Sequence, residues 1–574
     1  MDPPPLIQAT ICDCCGKAKH PDKDLLKCGR CRQACYHDKV CQKKHWPTHK
    51  AICRQLVQRA EEEALQRQSV QVLPDTDNKG RVLIALKEFA PGDVVLLESP
   101  AVLFDTRLEY RGLLQAFGSA TVHTQQRVLD LHASPHATID SPARQQCWAR
   151  LEQQRVAYLQ AHPQASTVLT QNTAEKLLAI IETNGYNLFN AAATTTNDPK
   201  QWMGLFVLGS MPEHSCNPNV TLNTTRDCKI ELLAERSIAK GDRLSFSYIE
   251  GIYEKCREQR QASLLEQKHF TCLCARCFGI DECRPLLLPG MTDPIFWNAQ
   301  LHKYVGVKAL SSSEADNDDN APSSMTLLDL TNEDASVASF LKAEEELMLK
   351  IHQLEQSMEQ GKISFQSVLT QMASLMSSTQ WKSTIHPLHW LNLSACNFLS
   401  QAGSATARMQ PASDGAMRWL RVSIVALLHN LTWVERTVRV LRHQPTNNNG
   451  ASQTLTTAAV CHNLAQEIQN HDNPVRQIIT HILFDNDVDV KRAVGIVCAQ
   501  PVDETCVTAD SLLTAFFAGQ DLLVAGHADL AIMLYQRYQE WFHKLKQPNE
   551  ENRQRIDVLI SSRGNTNPFA NMLL

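Results

Sequence analysis

Eight cysteine and histidine side chains near the start of the chain have the spacing of metal ligands. They form four pairs, with two or three residues between the members of each: Cys12 and Cys15, Cys28 and Cys31, His37 and Cys41, and His49 and Cys53. Thiolate and imidazole are usual ligands of Zn²⁺, and a tight turn can present both members of such a pair to one ion. Because a structural zinc takes four ligands, the segment predicts two zinc sites. Cys14 and Cys35 do not fit this spacing and are interpreted as spectators.

A second group of cysteines, Cys272, Cys274 and Cys277, lies near the middle of the chain. Three thiolates leave a tetrahedral zinc one ligand short, and Cys216 is the candidate for the fourth. Of the twenty cysteines, sixteen precede Arg284. This clustering favours metal binding in a reducing compartment over a framework of disulfides.

The elements that would position these groups change character along the chain. Residues 79–85 and 89–98 are β-rich runs around Pro91-Gly92, which predicts a β-hairpin. The stretch 54–71 contains no Gly or Pro and predicts a helix that leaves the first zinc segment. Between 100 and 183, Leu, Gln and Ala recur at helical spacing, as in 144–159, which predicts a helical insert.

The second half of the chain is predicted to be helical. Residues 311–336 are rich in Ser, Asp, Asn and Thr, which predicts an acidic flexible loop. Helical patterns follow over 338–356, 386–401, 417–443, 454–469 and 515–546. Residues 526–535 resemble the second helix of a tetratricopeptide repeat, although no clean repeat period is present.

Composition narrows the classes of function. The chain has 574 residues and a net charge of −5, so several domains are expected, and the basic excess typical of nucleic-acid binding is missing. The first five residues, Met-Asp-Pro-Pro-Pro, do not resemble a secretory signal. The most apolar run, 422–428, is far below the ~20 residues of a membrane span. We expect an intracellular protein without a membrane segment, in the cytoplasm, the nucleus or both.

The first zinc segment resembles the MYND finger. The likeness includes Tyr36 before the fifth ligand and the run from Cys41 to Lys50, Cys-Gln-Lys-Lys-His-Trp-Pro-Thr-His-Lys. The family usually has Cys where this chain has His37, and a neutral imidazole is an equally good zinc ligand. The resemblance implies that the pairs interleave, with one ion held by Cys12, Cys15, His37 and Cys41 and the other by Cys28, Cys31, His49 and Cys53.

Three motifs, in order, resemble the SET and MYND lysine methyltransferases. They are the segment His-Ser-Cys-Asn-Pro-Asn at 214–219, the turn Gly241-Asp242 that leads to Tyr248, and the closing Cys272, Cys274 and Cys277. The resemblance implies that Cys216 joins the closing cysteines on a third zinc. It also implies a pocket for S-adenosylmethionine, with cofactor-contacting positions at Lys79, Gly80, Arg81, Asn184, Glu213 and His214.

The same resemblance implies the chemistry. In that family the uncharged amine of a substrate lysine attacks the methyl group of the sulfonium in line, so the protein must desolvate and align the amine after its proton has left. Tyr248 matches the active-site tyrosine, whose ring and hydroxyl orient the amine. Tyr186 matches an aromatic position of the channel that admits the lysine.

Three positions depart from the family pattern in the expected pocket. Val82 stands where a second glycine is usual, and a β-branched side chain there would narrow the pocket. Glu213 replaces an asparagine and adds a negative charge, which could pair with the ammonium of the cofactor. Lys268 stands where a second channel tyrosine would align, with His269 and Phe270 as the nearest rings.

Together these patterns predict an α+β protein. The predicted domains are a leading MYND finger over 12–53, a β-rich SET domain over 72–250 with its helical insert at about 105–180, a post-SET zinc segment over 251–284, the acidic loop, and an α-helical, TPR-like domain over 338–574. In well-known relatives the finger is inserted within the SET domain instead.

The leading functional hypothesis is a protein-lysine N-methyltransferase that uses S-adenosylmethionine, contains zinc, and acts on a protein. The alternative is a catalytically weak or inactive SET scaffold that serves as a zinc-dependent protein-interaction module. In either case the finger could bind a proline-containing peptide, as MYND fingers do. Nucleic acid is the weakest candidate partner because basic residues such as Lys43, Lys44 and Lys50 are few.

Overall fold

The computed structural model describes residues 12–18, 20, 23–75, 80–133, 142–189, 201–286, 288, 294–306, 330–409, 413–442, 464, 470, 473–479, 488–564 and 568–569. The chain forms two compact units. The first consists of residues 1–213 and 218–246, and the second of residues 214–217 and 247–574. Within the described ranges, no helix combines the length and the apolarity that crossing a membrane would require.

The first unit begins with the cysteine-rich segment. Two short strands, β1 (Leu26–Lys27) and β2 (Cys35–Tyr36), pair antiparallel. Helix α1 (Lys39–Ser69) follows, and the carboxylate of Asp38 caps it by accepting a hydrogen bond from the N–H of Cys41 at 2.7 Å. The predicted start near residue 54 is wrong, because this cap begins the helix earlier and Pro47 lies inside it.

The rest of the first unit is built on antiparallel strands. They are β3 (Val70–Pro74), β4 (Arg81–Ala85), β5 (Val94–Glu98), β6 (Val102–Asp105), β7 (Gly185–Phe189), β8 (Gln201–Leu205), β9 (Glu213–His214), β10 (Val220–Thr224), β11 (Ile230–Ala234) and β12 (Ser245–Phe246). Strand β3 pairs with β4, β11 lies between β10 and β5, and β8 lies between β6 and β7.

The predicted hairpin is wrong in its pairing. Its two runs are strands, and Gly92 has the positive φ of 89° that suits a turn, but β4 and β5 do not pair with each other. Instead Leu83 in β4 lies opposite Val72, and Leu96 in β5 lies opposite Leu232. Both strands are buried, so tertiary packing rather than the local turn chooses their partners.

The chain between β6 and β7 is mostly helical, as its pattern predicts. The helices are α2 (Glu109–Gly118), α3 (Val122–Leu129), α4 (Pro142–Ala161) and α5 (Gln171–Asn184). Leu113, Phe117 and Leu177 are fully buried and join one apolar cluster with residues of β4 and β5. The helices therefore cover the strands and complete the core of this unit.

The second unit is mainly helical. Its helices are α6 (Arg257–Lys268), α7 (Ala275–Phe278), α8 (Ala335–Glu359), α9 (Phe365–Ser377), α10 (Thr379–Thr384), α11 (Trp390–Met409), α12 (Asp414–Arg442), α13 (Pro474–Gln477), α14 (Val490–Ala499), α15 (Ala509–Val524), α16 (Ala528–Lys544) and α17 (Glu550–Ser561), and one antiparallel pair joins β13 (Ile295–Asn298) to β14 (Lys303–Gly306). The structure confirms the α+β class and the helical C-terminal region.

Helix ends depart from the sequence patterns in two places. The pattern over 515–546 is two helices, because Gly526 adopts a positive φ of 81° between α15 and α16. Helix α8 begins at Ala335, inside the predicted acidic loop. Residues 311–329 of that loop lie outside the described residues, as does the predicted helix 454–469 apart from Leu464.

Candidate zinc centres and active site

The eight ligand-type residues of the N-terminal segment form two clusters. Within each, the possible ligand atoms all lie within 4.8 Å of one another, and the members are Cys12, Cys15, His37 and Cys41 in one, and Cys28, Cys31, His49 and Cys53 in the other. The pairs are therefore interleaved along the chain. Cys14 and Cys35 belong to neither cluster.

Distances within these clusters fit zinc. A Zn–S bond of about 2.3 Å corresponds to a tetrahedral edge of about 3.8 Å. The sulfurs of Cys28 and Cys53 are 3.8 Å apart, and Cys31 Sγ lies 3.5 Å from Nε2 of His49. Cys15 Sγ lies 3.3 Å from Nδ1 of His37. Three thiols and one imidazole in each cluster match the ligand set of a structural zinc site.

The histidine that departs from the family pattern is oriented by the backbone. Nε2 of His37 lies 2.9 Å from the carbonyl oxygen of Ala18, and Nδ1 faces Cys15. Donation of the Nε2 proton to that carbonyl leaves the Nδ1 lone pair for a metal. His37 therefore has the orientation that a zinc ligand needs.

The third cluster brings Cys216 to the closing cysteines. Its members, Cys216, Cys272, Cys274 and Cys277, have sulfurs within 4.8 Å of one another. Cys216 Sγ lies 3.4 Å from Cys277 Sγ and 4.0 Å from Cys272 Sγ, again the edges of a zinc tetrahedron. Four thiols fit a structural Cys₄ site.

Buried side chains that the sequence patterns did not single out hold this cluster in place. Nη1 of Arg276 donates to the carbonyls of Cys216 at 2.9 Å and Ile252 at 2.8 Å, and its guanidinium pairs with Glu282 at 2.6 Å. The amide of Gln261 bonds both the N–H and the carbonyl of Cys272. In the sequence, the position of Arg276 between the ligand cysteines Cys274 and Cys277 was the only indication that it could support the cluster.

His214 connects the third cluster to Tyr248. The backbone N–H of Tyr248 donates to Nδ1 of His214 at 3.1 Å, and Nε2 of His214 lies 3.3 Å from Cys216 Sγ. Burial lowers the pKa of His214 to about 4, so the ring is neutral and its proton is on Nε2. His214 thus links a candidate metal ligand to the backbone of the predicted active-site tyrosine.

An aromatic group surrounds this link. The ring centroids of Tyr248, Phe270 and His214 lie 5.3–6.3 Å apart. Phe270 therefore supplies an aromatic face beside Tyr248, where a second tyrosine was expected in the sequence. Nζ of Lys268 lies 5.9 Å from the centroid of the Tyr248 ring, and burial lowers the pKa of this lysine.

Tyr186, the other predicted channel residue, is positioned within the first unit. Its hydroxyl donates to the carbonyl of Gly209 at 3.0 Å, and its ring packs edge-on against Phe206. The buried carboxylate of Glu98 accepts the backbone N–H groups of residues 207–209 at 2.7–3.1 Å. Burial raises the pKa of Glu98, whereas these donors oppose the rise. Glu98 holds the loop that carries the Tyr186 acceptor.

The expected cofactor turn is open at its start. Gly80 has φ of 97°, and a Cβ added there would meet nothing within 4 Å. Nη2 of Arg81 donates to the carbonyl of Asp130 at 2.5 Å. The Val82 side chain is 6% exposed and packs inside the unit, opposite Leu73. Lys79 lies outside the described residues.

Glu213 and Asn184 have partners of their own. Oε2 of Glu213 lies 3.6 Å from Nη1 of Arg243, whose Nη2 pairs with Asp75 at 3.0 Å. Glu213 therefore shares one guanidinium with Asp75, which only partly offsets the charge that Glu213 adds. Nδ2 of Asn184 donates to the carbonyls of His132 at 2.7 Å and Ile180 at 3.0 Å, so this amide braces the backbone.

Comparison with known families agrees with this geometry. The family model for the MYND finger matches residues 12–53, and that for the SET domain matches residues 80–249. Because both domains are present, the chain is a SET-fold protein with a MYND zinc finger. In these two domains it is similar to SET and MYND domain-containing methyltransferases.

Individual relatives match part of the chain. The N-lysine methyltransferase SMYD2-B of Danio rerio is 28% identical over 271 residues, 46% of this chain and 50% of the relative. The histone-lysine N-methyltransferase SMYD3 of Homo sapiens is 26% identical over 282 residues, 49% of this chain and 54% of the relative. The chain thus spans about half the length of the curated relatives it matches. A solved SET domain, that of LSMT bound to lysine and AdoHcy, aligns with 11% identity and a TM-score of 0.23, covering 76% of this chain and 90% of that chain.

Proposed function

We propose that the protein is a protein-lysine N-methyltransferase that uses S-adenosylmethionine. The observation that carries the proposal is the contact chain from Cys216 through His214 to the backbone of Tyr248. It holds an aromatic ring at a defined place within a SET domain, which is the arrangement needed to align a substrate amine. The relatives named above as lysine methyltransferases support the same reaction class.

The side chains of this protein would prepare the amine. The apolar faces of the Tyr248 and Phe270 rings would exclude water from the side chain of a substrate lysine. The lysine amine, once it has lost its proton, would be the nucleophile. S-adenosylmethionine supplies an electrophilic methyl group when bound. The backbone at Gly80, where an added Cβ would meet no described atom within 4 Å, fits close approach of such a ligand.

We also propose three zinc ions per chain, two in the finger and one held by Cys216, Cys272, Cys274 and Cys277. The separations of the ligand atoms support this number. Elemental analysis of the purified protein should give three zinc equivalents, and two equivalents would contradict the full assignment. The metal in the Cys₄ site would act on the reaction only through position, because four protein ligands leave no site for substrate.

The test of the proposed function is cofactor binding followed by transfer. Calorimetry with S-adenosylmethionine should detect binding to the full-length protein, and no heat at millimolar ligand would overturn the proposal. Tyr248→Phe should lower methyl transfer on the order of 100-fold with little loss of cofactor affinity. Tyr158→Phe, a half-buried tyrosine of α4, is the matched control and should leave both values unchanged.

We propose further that the finger binds a proline-containing peptide. Val40, Trp46 and Ile52 of α1 are exposed apolar side chains on the finger, and exposed aromatic residues are common anchors of peptides. Fluorescence polarisation with proline-rich peptides should detect binding that Trp46→Ala abolishes, and unchanged binding would contradict the role of Trp46. An intracellular location, in the cytoplasm or the nucleus, is proposed as well, and imaging of a fluorescent fusion tests it.

A further inference from the structure

One face of α12 lines a pocket that no step of the proposed reaction uses. The residues on this face are spaced at helical intervals of three and four: Thr432, Glu435, Arg436 and Arg439. The other walls of the pocket include Asn473, Pro474, Val497 and Gln500. All of these residues lie in the second unit. We call this space the α12 pocket.

Arg436 is the unusual member of the lining. Its side chain is nearly inaccessible, with 2% of the residue exposed. Nη1 donates to the carbonyl of Glu282 at 3.2 Å, and the guanidinium lies 5.7 Å from the ring of Trp433. Nε and Nη2, in contrast, have no hydrogen-bond partner among the described residues. A guanidinium is always charged, so this is a buried cation with two unused donors.

The two unused donors lie on the same edge of the guanidinium. Other arginines of this chain use that edge to hold a carboxylate with two hydrogen bonds. Arg155 does so with Glu152 at 2.7 and 2.6 Å, and Arg284 does so with Glu344. Two parallel N–H groups match the oxygens of a carboxylate or a phosphate. Arg436 thus presents a complete oxyanion-binding edge.

The neighbouring charges do not neutralise Arg436. The carboxylate of Glu435 accepts the hydroxyl of Tyr538 at 2.6 Å and lies 3.5 Å from Arg537. Arg439 lies 3.9 Å from Asp503. Each of these charges therefore has a partner of opposite sign, and among the described residues Arg436 leaves the pocket with a surplus positive charge. Burial of an uncompensated charge is costly, so an anionic ligand would stabilise this arrangement.

We propose that the α12 pocket binds a small oxyanion, a carboxylate or phosphate group, on the Nε–Nη2 edge of Arg436. The proposal is independent of methyl transfer, since every residue that lines the pocket belongs to the helical domain. It assigns this domain a ligand site in addition to its packing role.

Anion titration of the full-length protein tests the proposal. In chloride buffer of constant ionic strength, addition of inorganic phosphate or of acetate should raise the melting temperature of the wild type, because a ligand that binds the folded state stabilises it. The anion with the lower Kd identifies the preferred group. Arg436→Met should weaken binding by roughly 10- to 100-fold, the range for hydrogen bonds between charged groups.

Variants separate a bound anion from a structural role of Arg436. Arg418→Met makes the same change at an exposed position of α12 and should keep the wild-type response. Without added anion, Arg436→Met should melt no lower than the wild type, because it removes an unpaired buried charge. Arg436→Lys keeps the charge but loses the two-pronged edge and should bind more weakly than the wild type. A wild type that neither anion stabilises, or equal stabilisation of Arg436→Met, would overturn the proposal.

Discussion

The chain contains two kinds of cysteine-rich region, and they are stabilised differently. The buried cluster of the finger consists mostly of cysteines, with Ala34, Tyr36 and Leu56 as the other members. Cys216, in contrast, lies among aliphatic side chains such as Ile249, Leu264 and Val434. The difference indicates that metal would take the place of a hydrophobic core in the finger. In the second region, metal would fix the positions of the four cysteines within a hydrophobic core that already exists.

The spacing of the ligands supports the same distinction. The finger completes both clusters between Cys12 and Cys53, so its metal sites organise a short piece of chain. Cys216 lies 56 residues before Cys272 and joins two distant segments. His214, two residues before Cys216, accepts a hydrogen bond from the N–H of Tyr248, so the second site is connected to the predicted active-site tyrosine.

The largest expected effect is loss of the finger fold when its metal is removed. Cys28→Ser should lose zinc and unfold residues of the finger, because metal binding supplies on the order of 10–16 kcal/mol to such small domains. Amide hydrogen exchange should show loss of protection in β1, β2 and the start of α1. Cys35→Ser, a buried thiol in neither cluster, is the control, and a finger that stays protected after Cys28→Ser would break the comparison.

The next effect concerns the reaction rather than the fold. Cys216→Ser should lose one zinc and reduce methyl transfer on the order of 100-fold, since a displacement of about 1 Å at a reacting group has that cost. The helical domain should stay folded because its apolar cluster remains intact. Circular dichroism, zinc content and transfer rate measure the three outcomes. Cys498→Ser is the control, and unfolding of the whole second unit by Cys216→Ser would mean that both regions depend on metal alike.

A variant of His214 tests whether the second zinc site contributes to the reaction by positioning Tyr248. His214→Ala should lower transfer by about 10- to 100-fold, the usual effect of losing a partner of a metal ligand. The zinc content should equal that of the wild type, because all four thiols remain. His302→Ala, outside both regions, should have no effect on transfer. Loss of zinc together with activity would show that His214 acts on metal affinity instead of on the placement of Tyr248.

The sequence predicted the local structure of the molecule better than it predicted the long-range contacts. Ligands with two or three residues between them could be paired from spacing, whereas the interleaving of the pairs was implied by the resemblance to the MYND finger. The structure brings together the same sets. The strand runs of β4 and β5 were identifiable from composition, but their partners were not, because pairing depends on tertiary burial. The fold class and the helical C-terminal region needed only periodicity.

The residues that position the candidate site show most clearly what could not be predicted from the sequence. Arg243 lies 3.6 Å from Glu213, and Glu98 holds a loop more than one hundred residues farther along the chain. Arg243 follows the turn Gly241-Asp242, but nothing in that motif indicates its partner. Such partners are set by side chains that meet only after folding, so a sequence pattern identifies the residue at the centre and misses the residue that positions it.

The smallest expected effect is a pH dependence of stability that comes from the desolvated lysine of the second region, Lys268. Burial lowers the pKa of Lys268 in the folded state below its unfolded value of 10.5. Below the folded pKa both states are protonated, and folding carries the full cost of burying the ammonium. As pH rises toward 10.5 the folded state loses its proton first, so that cost disappears.

Relative to Lys268→Met, the wild type should therefore gain stability between pH 7 and about 10 in urea unfolding. Lys342→Met, an exposed control on α8, should show no such trend. A constant difference between wild type and Lys268→Met would mean that the lysine beside Tyr248 is solvated, and the contrast between the two regions would then rest on metal geometry alone.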